Sequence, residues 1–485
     1  MVIKRFCGAL AVGLILTGCS TADDPEPPPA SGPATFAMSL VVPKEISASG
    51  LLARAAVAGP ATCPDLVVTI DGESKSLAMA ERKPGQTTKG HFDSLISCNR
   101  EIPADATSAS VNGQSIPATM PKAVSSIATM GDTGCRVDSN GSQNCTSASG
   151  WPLNRNAQQI ARSEPDLLIL TGDYYYRLAD CPKGDENKCG GSPPPPGDVD
   201  GAFLDSAAGW EDDFFEPLQP VFSSVPLIIL RGNHEVCAEA GNGYMLYLDT
   251  QPGSAASCAP QPDSNGKLVA PRILETARSL ELPLADDKKL RLAAVDTSNS
   301  LDIAVTPWWK RLAKQFEIAQ TFAKGADDAI LLSHRPVLGL MSKSMPKSDA
   351  PGWTPWLSLD ATAGSRGKLD PYSLVLSSHE HLLQMVQVPT APPQFIIGGG
   401  GTTLDPPKGY IKPKYGALAR ADGERWVEEL KPYPKLKDRW LKVTWGHGLL
   451  KPTDNGWQFQ YRSPIGDTIQ TCTVTNSGGS PTASC

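Results

Sequence analysis

The sequence predicts a mixed α/β protein in which a small all-β region precedes a larger domain. Residues 36–121 contain short apolar runs, such as the one at 66–70, that are broken by Asp-Gly and Asn-Gly turns and show few helical periods. From residue 122 onward, apolar runs alternate with helix-like segments, which is typical of a sheet covered by helices. We therefore expect a small β-domain at 36–121 and an α/β domain with C-terminal strands at 122–485.

The composition excludes several classes of protein. Of the 485 residues, 40% are hydrophobic and 20% are charged, which is ordinary for a globular protein. No apolar run reaches the ~20 residues that span a bilayer as a helix. With 44 basic and 51 acidic residues the net charge is -7, so the chain lacks the basic excess of nucleic-acid-binding proteins. We expect no standing nucleic-acid partner, and the oligomeric state stays open.

The first residues are typical of an export signal. Lys4 and Arg5 precede an apolar stretch at 6–16 that is too short to span a membrane. The stretch ends in Leu16-Thr17-Gly18-Cys19, which resembles the lipobox of bacterial lipoproteins. In such proteins the signal is cleaved before the cysteine and a lipid is attached to it. The resemblance implies a signal peptide at 1–18 and a lipid anchor on Cys19.

The anchor would be followed by a tether. Residues 19–35 are rich in proline, which predicts an extended segment that holds the body away from a membrane surface. Ser20 follows the cysteine, where lipoproteins of the inner membrane carry an acidic residue, so we expect the outer membrane of the cell envelope. The alternative is a signal peptide with a chance cysteine near its cleavage site. Under both interpretations the protein is exported.

Cysteine usage agrees with export. Removing Cys7 of the signal and Cys19 from the twelve cysteines leaves ten, an even number that suits an oxidising compartment. No C-x-x-C spacing supports a zinc ribbon. Sequence alone does not fix connectivity, but pairing nearest neighbours predicts five local disulfides. They are Cys63–Cys98, Cys135–Cys145, Cys181–Cys189, Cys237–Cys258 and Cys472–Cys485.

Side chains of the types that bind metal ions follow five apolar runs, each at the point where the run ends. Four of the six histidines fall in these motifs. Because enzymes with mixed sheets place their sites at the carboxyl ends of strands, we expect one shared site. Carboxylates, an amide, imidazoles and a phenol suit iron, manganese or zinc. The residues are Asp132 after 124–130, Asp173 and Tyr176 after 166–171, Asn233 and His234 after 225–230, His334 after 329–332, and His379 and His381 after 372–377.

In this order the motifs resemble those of the calcineurin-like metallophosphoesterases, which read D-x-H, G-D-x-x, G-N-H-[DE], a single His and G-H-x-H. The resemblance covers about 123–450 and implies a β-sandwich core flanked by helices. It also implies that a dinuclear metal-bound hydroxide hydrolyses a small phosphate ester. Two positions depart from the pattern, because Gly134 replaces a histidine ligand and Ser378 replaces a glycine. Tyr176, three residues after Asp173, can supply the missing ligand, which resembles the purple acid phosphatase branch.

The resemblance also assigns roles within the site. The phenolate of Tyr176 favours ferric iron, so we expect Fe(III) paired with Fe, Zn or Mn. His234 would not bind metal but would stabilise the phosphoryl oxygens or protonate the leaving group, with Glu235 as its orienting carboxylate. One metal ion would be bound by Asp132, Asp173, Tyr176 and His381, and the other by Asp173, Asn233, His334 and His379, with Asp173 bridging.

Three further features are less specific. His447 could approach a phosphate or be a structural histidine, and His91 is expected to be structural. The run Gly398–Gly401 lacks the Lys-Ser/Thr that follows in a nucleotide-binding loop. We expect it to allow close backbone packing beside the site.

The sequence also offers candidates for substrate contact. Arg136, Arg177 and Arg335 directly follow metal-binding motifs and could steer a phosphate, although a solvated arginine is the default for each. The long loops at 179–201 and 340–368 lie between the motifs and are candidate lids.

Two alternatives stay open. One is a phosphodiesterase of the same fold that uses manganese or zinc, because the sequence does not distinguish monoester from diester substrates. The other is a surface-anchored binding lipoprotein in which the metal site is structural and the region at 36–121 performs recognition. The presence of His234 disfavours the second alternative, since a structural metal site does not need that residue.

Overall fold

The computed structural model describes most of the chain between Thr35 and Cys485. The signal peptide, Cys19 and almost all of the tether lie outside the described residues, as do 191–201 and 340–367 of the two long loops. Within the described part, no helix is long and apolar enough to cross a membrane. The described residues are 35–59, 62–85, 91–139, 141–190, 205–251, 253–262, 266–269, 271, 273, 275–300, 309–337, 368–388, 391–405, 438–476 and 480–485.

Short strands account for most of the regular structure in these ranges. Numbered in chain order, they are β1 (Thr35–Val41), β2 (Leu51–Ala58), β3 (Asp65–Ile70), β4 (Glu73–Ala78), β5 (Ala80–Arg82), β6 (Leu95–Glu101), β7 (Ser108–Val111), β8 (Gln114–Ile116), β9 (Ile127–Met130), β10 (Val137–Asp138), β11 (Gly141–Ser142), β12 (Leu167–Leu170), β13 (Leu227–Ile229), β14 (Gln261–Pro262), β15 (Leu268–Val269), β16 (Arg278–Pro283), β17 (Lys289–Val295), β18 (Asp328–Ser333), β19 (Leu374–Ser377), β20 (Leu383–Gln387), β21 (Gln394–Ile397), β22 (Asp438–Lys442), β23 (His447–Thr453), β24 (Gly456–Arg462), β25 (Thr468–Thr475) and β26 (Thr482–Ser484). The helices are α1 (Leu153–Arg162), α2 (Ala207–Trp210), α3 (Glu216–Phe222), α4 (Gly241–Tyr247) and α5 (Trp309–Phe322), with a π-helical turn at Glu211–Phe215 and a 3-10 turn at Ala285–Asp287.

Two large sheets contain the five strands that precede the metal-binding motifs. The first, in the order β26-β25-β24-β23-β9-β12-β13-β1-β2-β6-β5, is parallel from β9 to β1. The second, in the order β16-β17-β18-β19-β21-β20-β22, is parallel from β17 to β21. A four-stranded sheet, β4-β3-β7-β8, and two short hairpins complete the sheets of the described residues. The mixed α/β class predicted from the sequence is confirmed.

The two large sheets share one hydrophobic core. The ring of Phe395 on β21 stacks on that of Phe459 on β24, with 4.4 Å between centroids. Alternate residues of β18 face two cores, because Ile330 belongs to the shared core and Leu331 to a second core that includes Phe316 of α5. Strands buried on both faces explain why the motif-bearing runs are apolar without interruption.

Strands of the N-terminal region extend the first large sheet. The described part of 36–121 contains strands and no helix, as the sequence predicts. However, Leu40 of β1 lies opposite Leu227 of β13 in a parallel pair, and β2, β6 and β5 follow in the same sheet. The region at 36–121 therefore shares a sheet with the strands that follow residue 121.

Two buried arginines also join this region to helix α4. Arg54 of β2 donates to the carbonyl oxygens of Leu246 and Tyr247, at 3.2 and 2.8 Å. Arg82 of β5 pairs with Asp249, with 2.9 Å between Nη2 and Oδ2. The last carbonyls of a helix lack partners within it, and cations there are favourable. The N-terminal strands thus fix the helix that follows the motif of His234.

The five predicted disulfides are all present. Three of them lie close to the predicted metal-binding motifs. Cys135 follows Asp132 by three residues, and Cys237 follows His234 by three. The bonds are Cys63–Cys98, Cys135–Cys145, Cys181–Cys189, Cys237–Cys258 and Cys472–Cys485.

The shared sheet predicts that the N-terminal strands unfold together with the rest. Leu40 is fully buried, so Leu40→Ala should lower the free energy of unfolding by about 2–5 kcal/mol. Urea unfolding followed by tryptophan fluorescence should show this loss in a single transition. Val67→Ala, at a position 37% exposed on the four-stranded sheet, is the control and should cost less than about 1 kcal/mol. Two separate transitions, of which only one moves, would contradict the prediction.

Candidate metal centre

The five motif-bearing strands end at the same place. Strands β9, β12 and β13 of the first large sheet deliver Asp132, Asp173 and Asn233, whereas β18 and β19 of the second deliver His334 and His379. The two sheets meet here, because the backbone N–H of His379 donates to Oδ2 of Asp132 at 2.6 Å. The structure therefore brings together the residues that the sequence predicts to share a site.

The turns that carry these side chains adopt an unusual backbone conformation. Asp132, Asp173 and His379 have φ angles of 56°, 58° and 73°, in the left-handed region that residues other than glycine rarely adopt. Two hydrogen bonds hold the first two turns together, from Asp132 N to the carbonyl of Gly172 at 2.9 Å and from Thr133 N to that of Asp173 at 2.8 Å. Such conformations concentrate at functional sites, where the surrounding structure maintains them.

The phenol of Tyr176 lies at the centre of a first group, which consists of Asp132, Asp173, Tyr176 and His381. Its oxygen is 2.9 Å from Oδ1 of Asp132, 2.9 Å from Oδ2 of Asp173 and 2.9 Å from Nε2 of His381. Burial and the charges of the two aspartates raise the pKa of the Tyr176 phenol well above its usual value. A cation at this position would offset the repulsion among the three oxygens.

Nε2 of His334 lies at the centre of a second group, which consists of Asp173, Asn233, His334 and His379. It is 3.1 Å from Oδ1 of Asn233, 3.1 Å from Nδ1 of His379 and 3.3 Å from Oδ2 of Asp173. The donor atoms of Asp173, His334 and His379 all lie within 4.8 Å of one another, which is close enough to hold one metal ion. Oδ2 of Asp173 belongs to both groups.

Outer contacts fix the orientation of two of the histidines. Nδ1 of His334 donates to the carbonyl of Thr171 at 2.9 Å, which leaves Nε2 as the atom that faces the group. Nδ1 of His381 lies 3.0 Å from the carbonyl of Thr403 and 2.8 Å from Oδ2 of Asp405. Burial acts to lower the pKa of His381, but the charges and hydrogen bonds of Asp405 and Asp132 together outweigh burial and raise the pKa to about 10.

Asp405 is a residue that sequence reasoning missed. It follows β21, and its neighbours at the end of that strand pack against the first group. The available signal was a carboxylate just beyond the run Gly398–Gly401. A carboxylate behind a histidine ligand fixes the ring and increases its basicity.

The carboxylate beside His234 is Glu239. Nδ1 of His234 lies 2.9 Å from Oε2 of Glu239, while Nε2 lies 4.0 Å from Oδ2 of Asp173. The imidazole also packs on Tyr176, with 4.0 Å between ring centroids. A hydrogen bond from Ala240 N to the carbonyl of His234 closes the turn that brings Glu239 back to the ring.

The prediction that Glu235 orients His234 was wrong. The Glu235 carboxylate is fully buried beneath the turn and accepts hydrogen bonds from the backbone N–H groups of Gly232, Asp173 and Tyr174, at 2.8, 2.9 and 2.7 Å. Burial and the charge of Asp173 raise the pKa of Glu235 to about 8. Adjacent residues of a tight turn point in different directions, so Glu235 joins the Asp173 turn to the Asn233 turn instead.

The packing of Gly134 explains why the first motif lacks its histidine. A Cβ atom at this position would collide with the backbone of Tyr174 and Tyr175. The chain segment that carries Tyr176 therefore occupies the space that a side chain at 134 would need. The path of the segment that carries Tyr176 therefore requires glycine at 134.

The arginines after the motifs differ from one another. Arg177 is buried and pairs with Asp213, with 2.9 Å between Nη2 and Oδ1, so the expectation of a solvated side chain was wrong there. It was wrong for Arg335 as well, which is buried with Nη1 2.9 Å from Nε2 of His379. Arg136 is partly exposed and lies beside the first group.

The glycine run and His447 are structural. Gly400 N donates to the carbonyl of Gly131 and Gly401 N to that of Asp132, both at 3.0 Å, which confirms close backbone packing beside the site. His447 is buried, with Nδ1 3.1 Å from Oδ1 of Asn156, and burial with the charge of Arg462 lowers its pKa to about 3. His447 therefore belongs to the core beneath the glycine run.

Residues 126–383, just over half of the chain, match the family model of calcineurin-like phosphoesterases. The chain belongs to the calcineurin-like phosphoesterase family. Membership of this family supports a hydrolase that acts on phosphoric esters, and it agrees with a site built for metal ions. No curated protein matches the chain.

Several solved structures resemble this family member. A purple acid phosphatase, PPD1, from yellow lupin (Lupinus luteus) seeds is 13% identical with a TM-score of 0.52, over 90% of this chain and 74% of that one. PhoD is 11% identical with a TM-score of 0.47, over 93% and 92%. GAP50, the anchor in the inner membrane complex of Plasmodium, is 14% identical with a TM-score of 0.39, over 72% and 88%. At such identity, the likeness to the lupin protein shows the fold alone.

The close approach at Gly134 gives a stability prediction. Gly134→Ala should lower the free energy of unfolding by about 3 kcal/mol, because the colliding atoms belong to the backbone and cannot rotate away. The control is Gly113→Ala, where φ is 78° and no atom lies within 4 Å of the added Cβ, so only backbone strain of about 1 kcal/mol is expected. Chemical unfolding of the three proteins measures both costs. An equal cost for the two variants would contradict the prediction.

Proposed function

We propose that this calcineurin-like phosphoesterase is an exported enzyme that hydrolyses small phosphate esters with the help of two metal ions. The observation that carries the proposal is the position of Asp173. Its Oδ2 atom is 2.9 Å from the phenol oxygen of Tyr176 and 3.3 Å from Nε2 of His334, so one carboxylate oxygen contacts both groups of donors. A shared carboxylate lowers the repulsion between two nearby cations.

The donor chemistry of each group fits a metal ion. The first group would hold one ion with Asp132, Asp173, Tyr176 and His381, and the second would hold the other with Asp173, Asn233, His334 and His379. When bound, two metal ions supply a nucleophile at neutral pH and polarise the phosphoryl oxygens. The oxygen-rich first group suits a harder, more highly charged ion than the second group, which contains two imidazoles and an amide.

His234 has the position of a proton donor beside this centre. Its Nε2 atom faces Asp173 at 4.0 Å without being part of either close group, and Glu239 lies at its other nitrogen. A carboxylate at Nδ1 orients the imidazole. We propose that His234 protonates the leaving oxygen or stabilises the phosphoryl oxygens, and that Glu239 holds its ring in place.

The phenol of Tyr176 leads us to propose Fe(III) in the first group, paired with Fe, Zn or Mn in the second. Buried beside two carboxylates, this phenol resists ionisation unless a strong Lewis acid binds its oxygen. Among the ions that suit such donors, ferric iron is the one whose charge favours a phenolate most. A phenolate bound to ferric iron absorbs visible light.

Replacing Tyr176 tests the metal assignment. Iron-loaded wild type should show a visible charge-transfer band, and Tyr176→Phe should lose it, because phenylalanine has no oxygen to donate electrons. Absorption spectra of both proteins, with iron content measured in parallel, check this. Tyr175→Phe is the control, since Tyr175 packs against Trp210 rather than the first group, and should keep the band. Iron-loaded wild type without a visible band would contradict the assignment and favour manganese or zinc.

The hydrolytic activity is tested with two chromogenic substrates, a phosphate monoester and a diester. Asp173→Asn removes the shared charge, so the initial rate should fall at least about 1,000-fold, in line with the several kcal/mol of charge stabilisation that metal ions provide. Asp454→Asn, an exposed turn residue, is the matched control and should keep the wild-type rate. The preferred ester identifies the subclass. Wild type that hydrolyses neither ester with any of the candidate metals would favour the binding lipoprotein.

We also propose that Cys19 carries a lipid that anchors the enzyme to the bacterial cell envelope, at the outer membrane. Five disulfides support export, because such bonds persist in oxidising compartments. The lipobox-like tetrad and the proline-rich tether support the anchor.

A further inference from the structure

A cation lies over the ring of Tyr176. The guanidinium carbon of Arg136 is 5.2 Å from the centroid of the phenol ring, within the range of a cation–π interaction. The phenol oxygen of the same ring contacts Asp132, Asp173 and His381. The residue that gives the first group its distinctive ligand is therefore also the residue that Arg136 contacts.

Backbone pairing fixes this contact. Val137 N donates to the carbonyl of Tyr176 at 3.1 Å, and Leu178 N donates to the carbonyl of Val137 at 2.8 Å. Arg136 itself pairs with Gln143 in both directions, because its N–H donates to Oε1 at 3.1 Å and its carbonyl accepts from Gln143 N at 2.8 Å. The disulfide between Cys135 and Cys145 closes the same loop. The backbone of Arg136 is thus held in place by its neighbours, so its side chain starts from a fixed position beside the Tyr176 ring.

The charge of Arg136 is only weakly balanced by a carboxylate in the described structure. The carboxylate paired with it there is that of Asp138, and its Oδ2 atom lies 4.0 Å from Nη1, the outer limit of an ion pair. The Arg136 side chain is 24% exposed, so water screens part of its charge. The guanidinium therefore combines this long ion pair with its contact over the buried ring of Tyr176.

We propose that Arg136 is a positioning residue that tunes Tyr176, stabilising the electrons of its phenolate and so setting how strongly Tyr176 donates to the metal ion of the first group. The inference rests on the proposed function, with iron in the first group. A cation over the ring lowers the energy of the filled π orbitals from which the phenolate donates. More energy is then needed to transfer an electron from the phenolate to Fe(III), and the phenolate stabilises the ferric state less.

The consequence is spectroscopic and electrochemical. Without the cation, the phenolate donates more strongly, so the charge-transfer band should move to longer wavelength and the Fe(III)/Fe(II) reduction potential should fall. Lysine keeps a charge but lacks the planar guanidinium that packs on a ring, so its effect should lie between those of arginine and a neutral residue. A purely structural role would change neither the band position nor the potential of protein that still binds iron.

The test uses the full iron-loaded chain with Arg136→Gln, Arg136→Met and Arg136→Lys. Arg155→Gln is the matched control, because Arg155 is an exposed arginine on α1. We expect the band to move to longer wavelength and the potential to fall in both neutral variants, by a smaller amount in the lysine variant, and not at all in the control. Two neutral replacements are included so that, if one variant fails to fold, the other still tests the proposal.

The outcomes separate this inference from the proposed function. A wild-type band that stays in place in the iron-loaded neutral variants would overturn the role of Arg136 and leave the metal assignment intact. Wild type with iron but without any visible band would overturn the metal assignment, and the role of Arg136 with it. A band that moves equally in Arg155→Gln would show that loss of any positive charge has this effect. That result would overturn the specific role of Arg136.

Discussion

A carboxylate shut off from water is costly unless donors or cations surround it, and Asp173 is 1% exposed. Its Oδ1 atom accepts from His234 N at 2.8 Å, and its Oδ2 atom faces Tyr176 and His334. Glu235, equally buried, binds the backbone N–H of Asp173 from below. The turns that follow three strands are thus held in place by two carboxylates, and the requirement to compensate the charge of these carboxylates shapes the rest of the site.

The site depends on both large sheets at once. In the two donor groups, the first sheet supplies the carboxylates, the phenol and the amide, whereas the second supplies His334, His379 and His381. Their common core, including the stack of Phe395 on Phe459, fixes the distance between the two sets of donors. A shift of one sheet against the other would separate Asp173 from His334. The packing of the sandwich is therefore part of the chemistry of the site, not only its support.

Local patterns made much of this predictable. The motifs were predictable because each lies directly after a buried strand, and the disulfides because each joins cysteines that are nearest neighbours in the sequence. Contacts between segments that are far apart in the sequence could not be predicted from it. Leu40 pairs with Leu227 across a long stretch of sequence, and Asp405 reaches His381 from another strand. The direction of a side chain in a tight turn does not follow from the sequence either, so the sequence points to Glu235, whereas the structure places Glu239 beside His234.

Three disulfides make the segments around the predicted metal centre sensitive to the redox conditions in which the chain folds. Cys135–Cys145 and Cys237–Cys258 close the segments that follow Asp132 and His234, and Cys181–Cys189 closes the loop after Tyr176. In a reducing cytosol these three segments remain open, so the donors that precede them lack their final constraint. Only an oxidising compartment closes all three segments, which ties the assembly of the predicted metal centre to the redox conditions in which the chain folds.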